Sequence, residues 1–290
     1  MTQWKLGIIG GSGLYALDGL EAVRSEAVAT PWGAPSAPLT HGRLSGTDLV
    51  FLPRHGAGHP IPPSDIPFRA NIAALKMAGC TDILSISACG SLREHLAPGH
   101  FVLVDQYVDR TVSRERSFFG PGCVAHVPLA RPVCGRLSSL AADAAEAEGI
   151  PTQRGGTYLV MEGPQFSTRA ESELYRQWGM DVIGMTNMPE ARLAREAELP
   201  YASVAMVTDY DCWYDEAGEV DVAEVLRVMQ GNTVKAKAML TRLTGRLASL
   251  QRTPSPDGIE RVLDTALITA PSARDPQILA DLDVIAGRVL

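Results

Sequence analysis

Short apolar runs of strand length alternate with longer helix-like runs along most of this chain, and this alternation constrains its fold more than any other feature. Lys5–Ile9, Asp48–Pro53 and Asp82–Ser87 are typical of the strands, and Arg136–Gly149 is typical of the helices. Strands that alternate with helices favour a mostly parallel sheet covered by helices. The sequence therefore predicts an α/β fold, a single domain with a mixed, mostly parallel central sheet flanked by helices.

The domain is expected to span residues 1–250, because the first clear linker is the proline-rich segment Thr253–Gly258. Residues 251–290 then form a helical C-terminal extension, with helix-like stretches at Ile259–Leu267 and Pro276–Leu290. An extension of this length is too short to build a core of its own. We expect it to pack on its own domain or on a neighbouring subunit.

Two local assignments follow from capping and composition. Ser64 is a candidate N-cap for a helix over residues 64–78, in which Ile72 and Leu75 fall at helical spacing. The next strand after the N-terminal one is expected around Glu26–Thr30.

The segment Gly11–Ala16 fits the relaxed dinucleotide fingerprint G-x-G-x-x-G/A. That fingerprint requires a helix and then a strand that ends in an acidic residue about twenty positions on. Here Asp18-Gly19 interrupts any helix, and the strand expected around Glu26–Thr30 ends without an acid. A nicotinamide-dependent dehydrogenase is therefore a less favoured alternative.

The bulk composition is typical of a globular enzyme, with 46% hydrophobic residues and a formal net charge of −7. A mildly acidic protein has no overall attraction for nucleic acid or for an anionic membrane, so an anionic ligand needs a local site. No segment resembles a membrane span, and the N-terminus lacks the pattern of a secretory signal. None of the five cysteines forms a CxxC pair, which indicates reduced thiols. We expect a cytoplasmic protein that binds neither nucleic acid nor membrane.

Polar donors follow several predicted strands at the points where the strands end. In open α/β sheets, ligands bind at the carboxyl ends of the strands. Arginine binds phosphate bidentately, and hydroxyl and N–H donors fill the remaining oxygens. Each signal alone is common in turns, surfaces or cores, and only their joint occurrence predicts one phosphate site. The donors are those of Gly10–Gly13, Arg54-His55, Ser87-Ala88 and Met185-Thr186.

Six motifs carry a family resemblance, and they occur in the family's order and spacing. They are Gly10–Leu14, Arg54–Gly56, Ala88–Arg93, Glu162–Ser172, Gly184–Glu190 and Ala205–Trp213. With them the chain resembles the methylthioadenosine phosphorylase branch of the purine nucleoside phosphorylases. The resemblance covers about Lys5–Leu250 and is much weaker after Gln251.

This resemblance implies a nucleoside phosphorylase-like fold and a pentosyltransferase activity. The implied reaction is phosphorolysis of S-methyl-5′-thioadenosine to adenine and 5-methylthioribose 1-phosphate, a step of purine and methionine salvage. Inorganic phosphate is the co-substrate, and neither a metal nor an organic cofactor is implied. Members of the family are usually homotrimers, and some are hexamers.

The resemblance also implies a role for individual residues of this chain. The implied phosphate ligands are Ser12, Arg54, His55, Ser87, Ala88 and Thr186, with serine at positions 12 and 87 where many members have threonine. The implied base-binding residues are Cys89, Gly90, Phe166, Ser167, Asp209 and Asp211, of which the two aspartates are catalytic. Met185 is expected under the ribose, and the implied pocket for the 5′ substituent comprises His59, His126, Val222 and Val225.

Plainer interpretations stand beside these roles. Phe166 and Met185 alone would be core residues, and His126 alone would be a surface residue. Asp209 and Asp211 alone would be turn or capping residues. In a purine site, however, a protonated carboxyl near N7 can assist the departure of the purine. Relatives that prefer 6-oxopurines carry asparagine where this chain has Asp209, so a 6-aminopurine is expected. The alternatives are phosphorolysis of methylthioinosine, inosine or guanosine, and a non-catalytic nucleoside-binding module.

Overall fold

A computed structural model describes residues 3–14, 17–214 and 222–290, with only the main chain described at Ser12. The strands of this part are β1 (Lys5–Gly10), β2 (Glu21–Glu26), β3 (Leu39–Leu44), β4 (Thr47–Pro53), β5 (Asp82–Ser91), β6 (Phe101–Val104), β7 (Gln106–Asp109), β8 (Thr152–Arg154), β9 (Thr157–Val160), β10 (Val182–Gly184) and β11 (Tyr201–Asp209). The α-helices are α1 (Phe68–Met77), α2 (Gly135–Ala147), α3 (Arg169–Gln177), α4 (Asn187–Glu196), α5 (Val222–Ser249) and α6 (Pro276–Ala286).

Strand β5 is the centre of the sheet. It pairs in parallel with β1 and with β11, and its last residues Gly90 and Ser91 pair antiparallel with β10. One branch continues from β10 to β9 and β7, and the other from β11 to β6 and β8. On the far side of β1 lie β4, β3 and β2. The predicted fold class, a mixed and mostly parallel sheet in an α/β fold, is confirmed.

Helices cover both faces of this sheet. Side chains alternate between the faces of a strand, and β1 follows this rule. Leu6 and Ile8 pack in the core with Leu240 of α5, whereas Ile9 packs in the opposite core with Ile72 of α1. The core that contains Leu6 and Ile8 lies under α2 and α5. The core that contains Ile9 lies under α1, α4 and α6. The strand ends at the edge of both cores are therefore held rigidly.

Two local predictions are wrong. Ser64 does not cap a helix: Pro63–Asp65 is a short 3-10 turn, and α1 begins only after Pro67. A residue before proline avoids the helical region, and Ile66 is extended with ψ 126°. The strand predicted at 26–30 lies instead at β2, where residues 21–26 pair with β3. Because β2 is exposed, its sequence lacks the apolar pattern that would have located it.

The C-terminal extension packs on the domain of its own chain. Leu263 and Ile285 belong to the same core as Ile72. Glu198 accepts a hydrogen bond from the N–H of Leu263 at 3.0 Å, and its carboxylate also pairs with Arg288 at 2.5 Å. The boundary at residue 250 stays a prediction. None of the helices within the described ranges is long and apolar enough to cross a membrane.

Candidate active site

The guanidinium of Arg54 lies against the carboxyl end of β1 and the middle of β5. Arg54 follows β4 directly, and its side chain is 2% exposed. Nη2 donates to the carbonyl of Ile9 at 3.3 Å and to the hydroxyl of Ser85 at 2.6 Å. Nη1 donates to the carbonyl of Ile86 at 3.2 Å. These bonds fix the side chain across adjacent strands before any ligand binds.

Arg54 also forms a buried ion pair with Glu190 of α4. Nε and Nη2 each lie 3.3 Å from a carboxylate oxygen, and Tyr201 donates to the same carboxylate at 2.8 Å. The two-pronged edge that the sequence interpretation assigns to phosphate is therefore occupied by Glu190. Towards the strand ends, Nη1 donates to the hydroxyl of Thr186 at 3.3 Å. Nη1 thus contacts a predicted phosphate-binding side chain, whereas Nε and Nη2 face a protein carboxylate.

Asn187 joins two of the three predicted phosphate-binding hydroxyls. Its Oδ1 accepts from Ser87 at 3.3 Å and from Thr186 at 3.4 Å. Its Nδ2 donates to the hydroxyl of Tyr107 at 3.3 Å and to that of Ser203. Because Asn187 is fully buried, these bonds hold Ser87 and Thr186 at one place. The structure therefore brings Arg54, Ser87 and Thr186 together.

His55 lies beside this group and is electrically neutral near pH 7. Burial, together with the nearby Arg54 charge, lowers its pKa to about 4. Its Nδ1 lies 2.8 Å from the carbonyl of Ile61 and must carry the proton. Nε2 is then an acceptor, suited to the hydroxyl of a monoprotonated phosphate. The ring of His59 stacks on His55 at 3.9 Å, so the predicted phosphate and 5′-substituent residues are in contact here.

Asp209 ends β11 in a polar, half-buried position. Burial raises the pKa of its carboxyl. The hydroxyl of Thr208 lies 2.7 Å from Oδ2, and the N–H of Asp211 donates to Oδ1 at 2.8 Å. Gly90 of β5 permits this arrangement, since a Cβ there would lie 2.9 Å from Oδ1 and 3.1 Å from Ile183. Gly90 and Asp209, both predicted to bind the base, therefore lie against each other.

Asp211 lies next to the predicted base-stacking segment. Burial raises the pKa of its carboxyl to about 6, and no described residue hydrogen-bonds to its Oδ2. The thiol of Cys212 donates to the carbonyl of Ser167 at 3.4 Å, which joins this strand end to the segment carrying Phe166. Phe166 is 47% exposed, so the core interpretation of this residue is wrong.

The remaining predicted contacts lie along the same strand ends. Met185 packs on Gly163, where a Cβ would lie 2.5 Å from the Met185 sulfur. Ala88 is half-buried in β5. The thiol of Cys89 is buried and its pKa is raised, while its carbonyl lies 3.1 Å from the hydroxyl of Thr208. The Cys89 side chain is therefore a neutral thiol rather than a thiolate.

The placement of His126, Val222 and Val225 in the 5′-substituent pocket stays a prediction. His126 is exposed, and its N–H donates to the carbonyl of Ala266 in the C-terminal extension at 2.9 Å. Val222 is exposed and Val225 half-buried at the start of α5. No hydrogen bond or ring contact of the described residues links these three to His55 or His59. The hydroxyl of Ser12 lies outside the described atoms.

Residues 5–244 match the sequence pattern of the phosphorylase superfamily. The chain belongs to this superfamily. The family inferred from the sequence motifs is thereby confirmed. Within the described residues, no group of three or more His, Cys, Asp or Glu side chains is arranged to hold a metal ion.

This phosphorylase-superfamily chain is similar over its full length to relatives from bacteria. It is 60% identical over 290 residues to S-methyl-5′-thioadenosine phosphorylase of Bradyrhizobium diazoefficiens, covering 100% of this chain and 99% of the relative. It is 58% identical to the Cereibacter sphaeroides protein of the same name over 98% of both chains.

Solved structures agree with the fold. The chain superposes on a methylthioadenosine phosphorylase from an antarctic soil metagenomic library with a TM-score of 0.91 and 41% identity, over 98% of this chain and 99% of the other. A second similar structure is a mutant adenosine/methylthioadenosine phosphorylase from Schistosoma mansoni in complex with methylthioadenosine. Its TM-score is 0.84 and its sequence identity 37%, over 95% of this chain and 100% of the other.

The glycine loop of this superfamily member does not lead into a dinucleotide-binding unit. Ser12–Leu14 is a 3-10 turn, and the next strand is β2, which pairs antiparallel with β3. A dinucleotide-binding unit requires a crossover helix to a parallel strand. The dehydrogenase alternative is therefore not supported by the topology.

Sequence reasoning missed the residues that hold the ligand-binding groups in place. Asn187 and Glu190 lie inside the quoted Gly184–Glu190 motif, and Thr208 lies inside Ala205–Trp213, so their positions were visible. Their partners were not, because Glu190 lies 136 positions from Arg54 and Asn187 lies 100 from Ser87.

Proposed function

We propose that this chain catalyses phosphorolysis of S-methyl-5′-thioadenosine to adenine and 5-methylthioribose 1-phosphate. The observation that carries the proposal is the position of two chemically different groups along β5. Ser87 lies with Arg54 and Thr186 in what we call the anion-binding group, and Gly90 lies against the Asp209 carboxyl. Three residues of extended strand span about 10 Å. That separation leaves room for a ribose between a phosphate and a purine.

The anion-binding group would hold phosphate on one face of the ribose C1′ atom. Thr186 and Ser87 supply hydroxyls, and Arg54 supplies positive charge at Nη1. His55 Nε2 accepts a hydrogen bond from the hydroxyl of a monoprotonated phosphate. A phosphate oxygen then forms its bond to C1′ as the C1′–N9 bond breaks, through a transition state with oxocarbenium character.

The carboxyl pair would stabilise the leaving purine. The electron pair of the C1′–N9 bond moves to the purine, and neutral Asp209 donates a proton to N7. The proton that phosphate gives up returns to Asp209 through solvent, so the reaction is balanced. We assign the Asp211 carboxyl, whose Oδ2 has no hydrogen-bond partner among the described residues, as the acceptor for the 6-amino group. Close relatives bear the name S-methyl-5′-thioadenosine phosphorylase, which supports this assignment.

The 5′ substituent would lie beyond the stacked His55 and His59 rings, with Met185 under the ribose. An apolar methylthio group is favoured over a hydroxyl by about 1–3 kcal/mol in an apolar pocket. His126, Val222 and Val225 remain assigned to this pocket as part of the proposal.

The assembly and location are part of the same proposal. We infer a homotrimer that works in the cytoplasm without a metal or organic cofactor. Exposed apolar side chains such as Val112 (80% exposed) and Ile268 (62%) are consistent with subunit contacts. The cysteines are all free thiols, and four of them are buried. Analytical ultracentrifugation would measure the subunit number.

The decisive experiment is an assay of adenine release from S-methyl-5′-thioadenosine with and without inorganic phosphate. We expect release only with phosphate, at a rate unchanged by a metal chelator. An equal rate in phosphate-free buffer would identify a hydrolase and contradict the proposal. A higher kcat/KM for methylthioinosine than for methylthioadenosine would favour the 6-oxopurine alternative.

A further inference from the structure

Arg114 lies in the loop after β7 and is buried without touching any of the predicted ligand-binding side chains. Its side chain is 0% exposed. Nη1 donates to the carbonyls of Met185 at 2.5 Å and Met188 at 2.7 Å. Nη2 donates to the carbonyl of Glu162 at 2.7 Å, and Nε lies 3.3 Å from the Glu162 carboxylate. One guanidinium therefore bridges the end of β9 and the turn at residues 185–188.

Glu162 completes the arrangement from the other side. Its carboxylate accepts from the N–H groups of Val112 at 2.5 Å and Ser113 at 3.2 Å, and from the Ser113 hydroxyl at 2.9 Å. The hydroxyl of Ser64 also donates to it, and Ser64 lies in the segment that follows His59. Burial opposes ionisation, but these donors outweigh it and lower the Glu162 pKa to about 2. The carboxylate is therefore charged near pH 7 and can pair with Arg114.

The turn at residues 185–188 carries both a ribose contact and a phosphate contact. Met185 is the residue expected under the ribose, and Thr186 binds Arg54 and Asn187. The turn lies between β10 and the body of α4, and its φ/ψ angles at Met188 are not helical. Its carbonyls at 185 and 188 point away from the helix ladder and bind Arg114 instead.

We propose that Arg114 and Glu162 form a positioning clamp for the turn at residues 185–188. Neither side chain contacts substrate in this assignment. The clamp joins the turn to the segment that carries Phe166 and to the segment that follows His59, so it sets the relative position of three walls of the site. The role of the turn in phosphate and ribose binding rests on the proposed function.

The test compares Arg114→Met with Arg116→Met. Both changes remove one positive charge from the same loop, but Arg116 is exposed and donates to the carbonyl of Thr111. Binding of inorganic phosphate is measured by calorimetry, which needs no turnover, and KM values for phosphate and methylthioadenosine are measured beside it. We expect Arg114→Met to raise the phosphate Kd and both KM values at least about tenfold, because bonds to a charged donor are lost. Arg116→Met should leave all three within about twofold.

Chemical rescue separates positioning from general support of the fold. In Arg114→Ala, added guanidinium ion should enter the vacated space and restore the phosphate Kd, whereas sodium ion at equal ionic strength should not. A folded Arg114→Met protein with unchanged Kd and KM values and only a lower melting temperature would overturn the proposal. If Arg114→Met does not fold, Glu162→Gln decides: an unchanged phosphate Kd refutes the clamp, and a weaker one supports it. Wild-type protein that binds phosphate but does not release adenine would refute the proposed function alone.

Discussion

The main-chain N–H of Asp211 donates to Oδ1 of Asp209 at 2.8 Å, while the Thr208 hydroxyl lies 2.7 Å from Oδ2. Both oxygens of the Asp209 carboxyl are therefore fixed in direction before a purine arrives. Burial raises the pKa of this carboxyl and of the Asp211 carboxyl beside it. A neutral carboxyl held in a set orientation is suited to donate to purine N7.

Asp209→Asn should change the choice of base. Asparagine can donate to a 6-oxo group and to N7, but it is not an acid. We expect kcat/KM for methylthioadenosine to fall at least about tenfold, which corresponds to about 1.4 kcal/mol. The ratio of kcat/KM values for methylthioadenosine and methylthioinosine should narrow or reverse. If that ratio does not move, Asp209 does not read the base, even if the chain is a phosphorylase.

Gly90→Ala should impair catalysis without a large change in fold. The added Cβ would lie 2.9 Å from Asp209 Oδ1 and 3.1 Å from Ile183, closer than normal contacts. We expect kcat/KM for the nucleoside to fall about tenfold or more, because a small displacement of a catalytic group is costly. Gly135→Ala is the matched control, since its Cβ meets nothing within 4 Å. Equal activity in the two variants would show that the Asp209 position is not critical.

Arg54→Met should lose both stability and phosphate binding, and the two losses can be separated. Removing Arg54 leaves the buried Glu190 charge unpaired, which typically costs about 3–5 kcal/mol. The double variant Arg54→Met/Glu190→Gln removes that charge, so it should regain most of the unfolding free energy measured by urea denaturation. Its phosphate KM should stay high. Recovery of both properties in the double variant would place Arg54 outside the phosphate site.

Glu196 should make the stability of the chain depend on pH. Burial raises the pKa of its carboxyl to about 7, although Phe118 and Ser117 donate to it at 2.7 and 2.8 Å. A folded-state pKa above the unfolded value of 4.5 means that the stabilising contribution is complete below that value and is lost as pH rises through about 7.

The variant Glu196→Gln cannot ionise and should escape this loss. We expect its unfolding free energy relative to wild type to increase by up to about 3 kcal/mol between pH 5 and pH 8. Melting temperatures at several pH values measure the difference, with exposed Glu224→Gln as the control. A difference between Glu196→Gln and wild type that is the same at both pH values would show that Glu196 is ionised throughout.

The α/β class, several of the strands and helices, and the strand ends that carry the proposed ligand-binding residues could be predicted from the sequence. Strand and helix periodicity are local properties, so the α/β class followed from runs such as Lys5–Ile9 and Arg136–Gly149. Phosphate-binding and base-binding residues follow strand ends, and the topology of an open α/β sheet brings those ends to one edge. Arg54, Thr186 and Asp209 could therefore be proposed as ligand-binding residues before the fold was known, and these roles stay predictions.

The tertiary structure alone decided which groups remain free to bind a ligand. Nothing near Arg54 in the sequence shows that Glu190 takes its two-pronged edge, because the partners are 136 positions apart. Likewise, the sequence shows Arg114 only as an arginine in a loop. Its hydrogen bonds to the turn at residues 185–188 are visible only in the folded structure. A hydrogen bond needs its partners within about 3 Å. Periodicity and composition contain no information at that precision over such separations, so only the packed sheet fixes these bonds.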